Sequence, residues 1–488
     1  MELLRVLGWV VASVLGGYVV VFWFLKKANE WYYCHGKKNL PPGDMGFPIV
    51  GNMWPFLRAF RSPDPESFLN NLVQRHGRTG IHKTHLFWKP LVIISLPELN
   101  KAVLTDDENF QFAYPNMAEL IGKKSFVTLE GIEHKRLRKL TTAPINGQKA
   151  LSMYIGLIEN VLMTSFDEWA SMNKPIELRF EIKHALFKVI TNIFFGAQGY
   201  SFLVPLTKLF GEIGGGFFAK AINLPGFAYH KALKARKEMV KIVDATIEDR
   251  KVKNKNIGSE EKKCMLDLLL EVENEDGEKM DNETIIDLLA LMVFGGHEST
   301  AIAVMWLFIY LHDNPQILQK VKEEQENIVS KRRSTQKGLT MEEIKQMDYT
   351  AKAFQEAIRM NLGVGAFRDA KADVEINGYT IPKGWSVLLM FRGIHLDPEN
   401  FPDPKSFDPS RWDNNMNMNM KAGAYTPFGL GSRICPGNDL AKLEALIFVH
   451  CLLLHYKLDR VNPKSPVVYF PSPRPTDNYL VKITKLPK

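Results

Sequence analysis

A cysteine near the end of the chain lies in a stretch that is shaped around it, PFGLGSRICPG, residues 427–437. A thiolate is stabilised by a metal, by backbone N–H groups and by the N-terminus of a following helix. Gly429 and Gly431 allow the backbone to curl close to the sulfur. Pro436 suits the first turn of the apolar helix that is predicted next. The pattern therefore predicts that Cys435 ligates a metal, against the alternative of a buried structural cysteine in a turn.

A second stretch, GGHEST at residues 295–300, lies inside a long apolar segment and could manage protons. Two glycines in mid-helix cost about 1 kcal/mol each relative to alanine, so something must require them. Close packing between helices is one explanation. The other is that they open space beside a bound ligand, which the acid and the two hydroxyls after them would face: Glu298, Ser299 and Thr300.

The loop around Cys435 resembles the haem-binding loop of the cytochrome P-450 monooxygenases, FxxGxRxCxG, at every specified position. The resemblance implies a cytochrome P-450 fold in which Cys435 is the axial ligand of a haem b iron. It also implies that Phe428 packs near the sulfur and that Arg433 pairs with a haem propionate. O2 and electrons from NADPH, delivered by the flavoprotein NADPH–cytochrome P-450 reductase, are the implied co-reactants.

GGHEST resembles a second element of the same family, (A/G)GxE/D-T-T/S. The resemblance implies that Gly295 lies beside the haem and that Glu298, with an alcohol, delivers protons to the bound oxygen. Reduction of O2 takes protons, so a carboxylate and a hydroxyl-held water make chemical sense. Ser299 stands where threonine is usual and packs less rigidly than a β-branched residue. Whether Ser299 or Thr300 supplies the hydroxyl is therefore open.

Three further side chains are candidates for contact with the haem carboxylates. In EHKRLRKL, residues 133–140, Arg138 matches a family arginine that reaches a propionate, and His134 replaces the usual tryptophan. Histidine can also donate to a carboxylate. The alternative for both is a basic helix that faces solvent. Arg368, which follows the glycine-containing MNLGVGAF, is predicted to hold a propionate or a substrate carboxylate.

A buried charge cluster is expected beneath this site. Glu356 and Arg359 lie at i and i+3 on one predicted helix, where such pairs are usually solvated. In the family the pair is buried and closed by a later arginine, for which Arg411 in FPDPKSFDPSRW is the candidate. Such a cluster fixes geometry more than it adds stability, so we expect a structural role.

The elements that must position these residues are mostly helices. Periodic apolar patterns predict long helices near 150–170, 227–250, 282–313, 342–362 and 438–456. The clearest strand signal is ADVEINGYTIPKGWSVLLM, in which Asn377 and Gly378 form a hairpin turn. Three polar tracts are predicted to be loops, at 248–263, 330–338 and 414–420. The fold class is mainly α with minor β, in one haem-containing catalytic domain at 54–488.

The N-terminus predicts a membrane anchor at 1–27, followed by a Pro-rich connector at 28–53. Residues 7–25 carry no charge and would extend about 28 Å as a helix, close to the thickness of a hydrocarbon core. A cleaved secretory signal is the alternative, but bulky side chains run directly into Lys26 and Lys27. These lysines place the catalytic domain in the cytosol. The resemblance to microsomal members implies the endoplasmic reticulum membrane.

The net charge and the cysteine content limit which partners and which cysteine chemistry are expected. The net charge of +8 is spread over 488 residues, which is too diffuse to indicate nucleic-acid binding, so none is expected, but it suits a membrane surface or an acidic protein. The four cysteines lack the spacing of zinc ligands or paired disulfides, so three of them are expected to be reduced thiols.

Several stretches resemble a plant subgroup, the ent-kaurenoic acid oxidases of gibberellin biosynthesis, among them EHKRLRKLTTAPINGQKAL and RPTDNYL. The implied substrate is a diterpenoid, ent-kaurenoic acid, oxidised in successive steps. A related group that oxidises the triterpene β-amyrin is the first alternative. A haem-thiolate isomerase or dehydratase, which uses neither O2 nor a reductase, is a second, and the acid–alcohol pair argues against it. A non-enzymatic haem protein such as a gas sensor is a third.

Overall fold

The computed structural model describes residues 2–114, 116–196, 203–256, 264–273, 277, 279–361, 363–413 and 420–487. The α-helices of this part of the chain are α1 Glu2–Cys34, α2 Met53–Phe60, α3 Ser67–His76, α4 Pro97–Thr105, α5 Met117–Leu120, α6 Gly131–Asn146, α7 Gln148–Ser171, α8 Leu178–Phe195, α9 Leu203–Gly216, α10 Ala228–Asn256, α11 Met265–Glu271, α12 Asn282–Asp313, α13 Pro315–Ser330, α14 Met341–Lys345, α15 Asp348–Met360, α16 Phe391–His395 and α17 Asn438–His455. The strands are β1 Ile81–Leu86, β2 Lys89–Ile94, β3 Phe110–Phe112, β4 Ile176–Glu177, β5 Ala366–Ala370, β6 Val374–Ile376, β7 Tyr379–Ile381, β8 Ser386–Leu389, β9 Tyr456–Arg460, β10 Val467–Val468, β11 Arg474–Pro475 and β12 Leu480–Lys485. With 57% helix and 12% strand, the mainly α class with minor β is confirmed.

The largest sheet has the strand order β1-β2-β8-β5-β3 and mixes parallel and antiparallel pairs. Strand β5 pairs antiparallel with both β3 and β8, so that Arg368 lies opposite Phe112 on one side and Val387 on the other. The predicted hairpin is β6–β7, with Asn377 at φ 53° and Gly378 at φ 76° in its turn. Left-handed backbone at both turn residues favours Asn-Gly there.

Helix α12 forms the centre of the molecule and has the predicted bounds. Its N-cap Asp281 accepts a hydrogen bond from the Thr284 N–H at 3.0 Å, which satisfies one of the free amides of the first turn. Buried apolar residues lie on all sides of the helix, because it packs against α8, α15 and α17. Among the described residues, Asn282–Asp313 is the helix whose length and composition would suit a membrane, but 61% of that apolar window is buried in protein. It is a core helix.

Two predicted boundaries were wrong. The segment predicted as one helix near 342–362 is divided into α14 and α15, because Met347 between them leaves helical geometry, at φ −80° and ψ 51°. Thr340 and Glu343 form a capping box at the start of α14. The first part of the predicted loop at 248–263 continues α10 as far as Asn256, and the rest lies outside the described residues. Lys253 pairs with Asp249 at i,i+4 there, which supports a charged, exposed helix. The tract at 414–419 is also outside the described residues.

Helix α1 continues beyond the predicted anchor, through Cys34. Its described apolar side chains between residues 13 and 25 are exposed, including Trp23 and Phe24. The last turns contact the catalytic domain instead. The buried Asn29 amide donates to the Met45 carbonyl at 2.7 Å, and Glu30 pairs with Lys83 at 3.2 Å. The helix therefore joins the domain directly, within the segment predicted as a connector.

Candidate active site

A cavity of about 480 Å³ lies between α12, the loop before α17 and the largest sheet. Nearly all of the predicted site residues lie around it. Those that line it are Cys435, Phe428, Arg433, Arg138, His134, Arg368, Gly295, Ser299 and Thr300. Glu298 lies one position away on α12 and points toward α8 instead.

The loop that carries Cys435 is held by its own backbone. Gly429 and Gly431 adopt φ angles of 79° and 71°, in the left-handed region that favours glycine. A Cβ on Gly431 would also come within 2.9 Å of the Leu104 carbonyl oxygen. This position therefore requires glycine both for its backbone angle and for lack of space. The Cys435 N–H donates to the Phe428 carbonyl at 2.8 Å, which closes the loop beneath the cavity.

The surroundings of the Cys435 sulfur work in two directions. Burial raises the pKa of the thiol, while the Gly437 N–H and the Arg138 guanidinium oppose that shift. A metal at the sulfur would add a far stronger force toward the thiolate. The loop therefore holds the sulfur at the cavity, and the Gly437 N–H and the Arg138 guanidinium stabilise its thiolate form, as metal ligation requires.

Three guanidinium groups form one end of the cavity, and we call this set the cationic end: Arg138, Arg368 and Arg433. Their described hydrogen bonds go to carbonyl oxygens. Arg433 donates to Phe126 and Leu129 at 2.8 Å each, and Arg138 donates to Ile434. None of the three forms an ion pair with a carboxylate within the described ranges. Burial lowers the pKa of all three side chains, and repulsion from Arg433 contributes for the other two.

His134 completes the cationic end as a neutral group. It is 3% exposed, and Nε2 has no hydrogen-bond partner among the described residues. Burial and the nearby Arg433 and Arg138 lower its pKa to about 4. A neutral imidazole can still donate one N–H, so His134 can serve as a hydrogen-bond donor but not as a charge.

This end of the cavity fits the propionates of a haem. Burial of guanidinium groups without carboxylate partners is unfavourable because they lose hydration. Ion pairs with the two propionates of a haem would offset that cost. Arg368 is 4% exposed, lies on the ring face of Phe112 at 5.3 Å and is repelled by Arg433. Its position beside Arg433 favours a shared propionate over a separate substrate carboxylate.

The two glycines of α12 serve different purposes. A Cβ on Gly295 would meet nothing within 4 Å, so this position is open toward the cavity. A Cβ on Gly296 would come 3.0 Å from Ile190 Cδ1, so this glycine allows α8 to pack closely. Close helix packing therefore explains Gly296, whereas Gly295 is open, and a ligand beside Gly295 stays a prediction.

The two hydroxyls after them also face different surroundings. Ser299 is exposed to the cavity and donates to the Gly295 carbonyl at 2.7 Å. Thr300 is buried and donates to the Gly296 carbonyl at 3.0 Å. Each oxygen keeps lone pairs that can accept a hydrogen bond from water or from an acid.

Glu298 is held by two cations from α8. Arg179 donates to one carboxylate oxygen, and Lys183 Nζ lies 2.5 Å from the other. Burial raises the pKa of this carboxyl, but Lys183 and Arg179 more than offset it, so the net shift is downward. Sequence reasoning did not find these partners, because the contact joins elements 119 residues apart.

The expected charge cluster lies beneath the cavity. Arg359 donates twice to Glu356, at 2.8 Å each, and both side chains are 0% exposed. Arg411 reaches the same carboxylate at 3.2 Å, and Trp412 Nε1 donates to it at 3.1 Å. Arg359 also donates to the His395 carbonyl, so the cluster joins α15 to the segment that leads to the Cys435 loop.

One further acid lines the cavity and was missed by sequence reasoning. Glu444 on α17 is 0% exposed, and neither carboxyl oxygen has a hydrogen-bond partner among the described residues. The available signal was a lone carboxylate within the apolar run LEALIFVHCLLL.

The comparisons with known proteins agree with this geometry. The family model for cytochrome P450 matches residues 41–482, and the chain belongs to that family. The structure resembles that of the retinoic acid bound cyanobacterial CYP120A1, with a TM-score of 0.82, 27% identity, and coverage of 92% of this chain and 100% of that one. Membership implies a haem cofactor, and the protein is an oxygen-dependent monooxygenase.

Curated relatives match over nearly the whole chain. A 7,8-epoxymelianol synthase of Citrus sinensis is 51% identical, with 97% of this chain and 98% of that protein covered. An ent-kaurenoic acid oxidase of Arabidopsis thaliana is 47% identical, with 98% of each covered. A beta-amyrin 11-oxidase of Glycyrrhiza uralensis is 45% identical, with 97% of each covered. The resemblance to ent-kaurenoic acid and β-amyrin oxidases is confirmed, and the chain belongs among terpenoid oxidases of this family.

Proposed function

We propose that this protein is a membrane-anchored haem-thiolate monooxygenase that oxidises a neutral polycyclic triterpenoid. The observation that carries the substrate class is the distribution of charge around the cavity. The only arginine or lysine side chains in the described lining are the three of the cationic end, and we expect the two propionates of a haem to pair with them. The rest of the lining is mainly apolar, including Phe194, Leu291 and Met292, which suits a hydrocarbon skeleton.

The residues around the cavity receive distinct roles in this proposal. Cys435 ligates the haem iron, and Phe428 packs beside the sulfur. Arg138, Arg368 and Arg433 hold the propionates as guanidinium–carboxylate pairs, with His134 as a neutral donor. When bound, the haem supplies the iron at which O2 is activated with two electrons and two protons.

The distal side is formed by α12. Gly295 leaves room beside the haem, and Ser299 presents a hydroxyl to the open cavity, where it can hold water. We assign Glu298 to the acid–alcohol pair with Ser299 and Thr300. The closest approach of substrate is set by the apolar wall, which also excludes bulk water.

The terpenoid assignment rests on the relatives, and the choice of triterpenoid on charge. The relative at 51% identity is a 7,8-epoxymelianol synthase, a triterpenoid enzyme. A second candidate, successive oxidation of ent-kaurenoic acid in gibberellin biosynthesis, is favoured by the relative at 47% identity. An acid substrate needs a cation of its own, and the third guanidinium of the described lining, Arg368, lies beside Arg433, where we place a propionate.

The N-terminal helix supports localisation of the protein to the endoplasmic reticulum membrane. The described apolar side chains of α1 between residues 13 and 25 are exposed, although Phe22 also packs on the ring of Phe47 at 4.4 Å, and Lys26 and Lys27 follow. An NADPH-dependent flavoprotein reductase is the proposed electron source. The acidic surface of such a partner would suit the positive net charge of this chain.

The test is expression of the full chain in microsomes with a reductase, followed by mass spectrometry of the products. Melianol, β-amyrin and ent-kaurenoic acid are supplied separately. We expect oxygenated product from a triterpenoid, dependent on both NADPH and O2. Product from ent-kaurenoic acid alone would overturn the triterpenoid proposal and support the second candidate.

A further inference from the structure

Tyr114 contributes a hydroxyl to a part of the cavity wall that is otherwise apolar. It lies between β3 and α5, and it lines the cavity beside Phe112 and Ala366. Among the described lining residues, the other polar side chains belong to the cationic end, to α12, to the loop of Cys435 or to α17. The Tyr114 hydroxyl has no role in the function proposed above.

The ring of Tyr114 is held in place by three aromatic side chains. Its centroid lies 5.1 Å from that of Phe367, 5.6 Å from that of Phe112 and 6.1 Å from that of Phe218. These are distances of favourable aromatic pairs. The backbone is held as well, because the Ala113 N–H donates to the Phe367 carbonyl at 3.3 Å. The hydroxyl therefore has a defined position, as a group that orients a substrate must have.

The hydroxyl proton of Tyr114 is already used within the protein. It is donated to the Gly365 carbonyl at 2.8 Å, in a segment that packs directly on strand β8. None of the described hydrogen bonds is donated to the Tyr114 oxygen. A phenol has one proton to donate and a lone pair that can accept. Toward a ligand in the cavity, Tyr114 is therefore an acceptor.

The exposed part of Tyr114 faces the cavity and not bulk solvent. The residue keeps some exposed surface, yet burial raises the pKa of its phenol to about 12, with Arg368 only partly opposing the shift. Such a shift requires that the hydroxyl is removed from water. The phenol is therefore neutral at physiological pH, and it keeps both its proton and its lone pair.

A ligand that suits this arrangement must bring a proton. The oxygens of a haem propionate only accept, so they do not complement the free lone pair of Tyr114. The carbonyl oxygen of a ketone or aldehyde has the same limitation, whereas an alcohol can donate. A ketone could bind Tyr114 only if the phenol turned its proton away from Gly365. That change would leave a carbonyl oxygen without its donor, at a cost in free energy.

We propose that Tyr114 selects a substrate with a hydroxyl group, by accepting a hydrogen bond from it. This inference rests on the proposed function and deepens it, because it adds one alcohol to the neutral polycyclic skeleton. A single polar contact in an apolar site fixes the orientation of a ligand. Tyr114 is then a specificity-determining residue, and the substrate is a polycyclic alcohol instead of the corresponding ketone.

Equilibrium binding to the full-length holoenzyme tests the proposal without turnover. The change in haem absorbance is titrated with three matched pairs of an alcohol and its carbonyl analogue: melianol and melianone, β-amyrin and β-amyrone, and ent-kaurenol and ent-kaurenal. The proteins are the wild type, Tyr114→Phe and Tyr154→Phe. Tyr154 is the matched control, because its hydroxyl also donates to a carbonyl, that of Pro144 at 2.7 Å, and it is not part of the described lining.

The ratio of the two Kd values within a pair is the quantity that decides. In the wild type we expect the alcohol to bind about 10-fold more tightly than the carbonyl compound, as for the loss of one hydrogen bond. The preference should disappear in Tyr114→Phe, which keeps the ring and removes the acceptor, and persist in Tyr154→Phe. An unchanged preference in Tyr114→Phe, or a wild type without any preference, would overturn the proposal.

A variant that does not fold is recognised by its reduced CO-difference spectrum, which reports thiolate-ligated haem. If Tyr114→Phe lost that spectrum, the methyl ether of each alcohol would decide with the wild type. The ether keeps the oxygen but has no proton to donate, so it should bind as weakly as the carbonyl compound. An ether that bound as tightly as its alcohol would contradict the role of Tyr114.

The two proposals fail separately. Binding of the diterpenoid pair alone would overturn the triterpenoid assignment, while the alcohol-to-aldehyde ratio of that pair would still test Tyr114. Binding of a triterpenoid pair without preference for the alcohol would overturn only the role of Tyr114. Binding of none of the six compounds would overturn both.

Discussion

Arg179 at the start of α8 donates to Glu298 in the middle of α12, and Lys183, one turn later on α8, binds the other carboxylate oxygen. The i,i+4 spacing places both cations on one helix face. The side chain of Glu298 is 28% exposed, so solvent screens its ion pairs only in part. This triangle fixes the charge of an acid that the family pattern assigns to proton transfer.

The ion pairs of Glu298 with Arg179 and Lys183 predict that the stability of the fold depends on pH. Lys183 and Arg179 bring the folded-state pKa of Glu298 below its ordinary value of 4.5, despite burial, which raises it. The lower folded-state pKa means that the pairing stabilises the fold above pH 4.5 and is lost as the pH falls through the folded pKa. Glu298→Gln should therefore lower the free energy of unfolding at pH 7 by about 1–2 kcal/mol.

Denaturant unfolding of the wild type and Glu298→Gln, followed from pH 7 to pH 3, measures the difference. It should shrink as the pH falls below 4.5. A difference that stays constant over this range would show that the ion pairs do not contribute to stability.

Cys435 should be required for thiolate ligation. Cys435→Ala removes the sulfur that the loop presents to the cavity, so the reduced CO complex should lose the absorbance of a thiolate-ligated haem. Cys34→Ala is the matched control, since Cys34 ends α1 away from the cavity. A thiolate-type CO spectrum in Cys435→Ala would show that another residue ligates the iron.

Removing one charge from the buried cluster should destabilise the protein far more than removing one from a surface pair with the same spacing. Glu356 and Arg359 are both 0% exposed, whereas Glu133 and Arg136 are 57% and 36% exposed. Breaking a buried pair leaves an uncompensated charge and costs about 3–5 kcal/mol, while an exposed pair contributes about 0–1 kcal/mol.

We therefore expect Arg359→Gln to lose most of its folded, haem-loaded protein and Arg136→Gln to remain close to the wild type. Thermal unfolding and the yield of CO-binding protein compare the two. Equal loss in both variants would mean that burial of the pair is not what matters.

Local patterns in the sequence predicted local structure well. The Cys435 loop, the bounds of α12 and the Asn377–Gly378 hairpin depend on turn geometry or apolar periodicity, which neighbouring residues encode. The break at Met347 was not predicted, because the apolar period of the segment is that of one continuous helix. The assigned roles of the site residues remain predictions.

Contacts between distant elements were not predictable in the same way. The Arg179–Glu298 pair and the burial of Glu444 depend on how α8 and α17 pack on α12. A lone glutamate in an apolar helix could face solvent, a partner cation or a cavity, and the sequence alone does not distinguish these. Gly295 and Gly296 show the same limit, because adjacent glycines turned out to meet an open cavity and a packed side chain.

The two glycines before Arg368 lie in different surroundings. Gly365 has φ 145°, and a Cβ there would lie 2.0 Å from the Leu389 carbonyl oxygen of the adjacent strand β8. Its carbonyl also accepts from Tyr114 at 2.8 Å, so it is a fixed point of the cavity wall. A Cβ on Gly363 would meet only the Pro471 carbonyl oxygen, at an ordinary 3.7 Å.

Gly365→Ala should therefore destabilise the protein by about 1–3 kcal/mol, since backbone strain and a clash with main-chain atoms add. Gly363→Ala should be tolerated to within about 0.5 kcal/mol, because the added methyl has room. Thermal unfolding and the spectrum of the reduced CO complex check both. If Gly363→Ala were the more damaging substitution, residue 363 would have to carry a constraint other than space, and the wall beside Arg368 would be shaped by that residue instead of by Gly365.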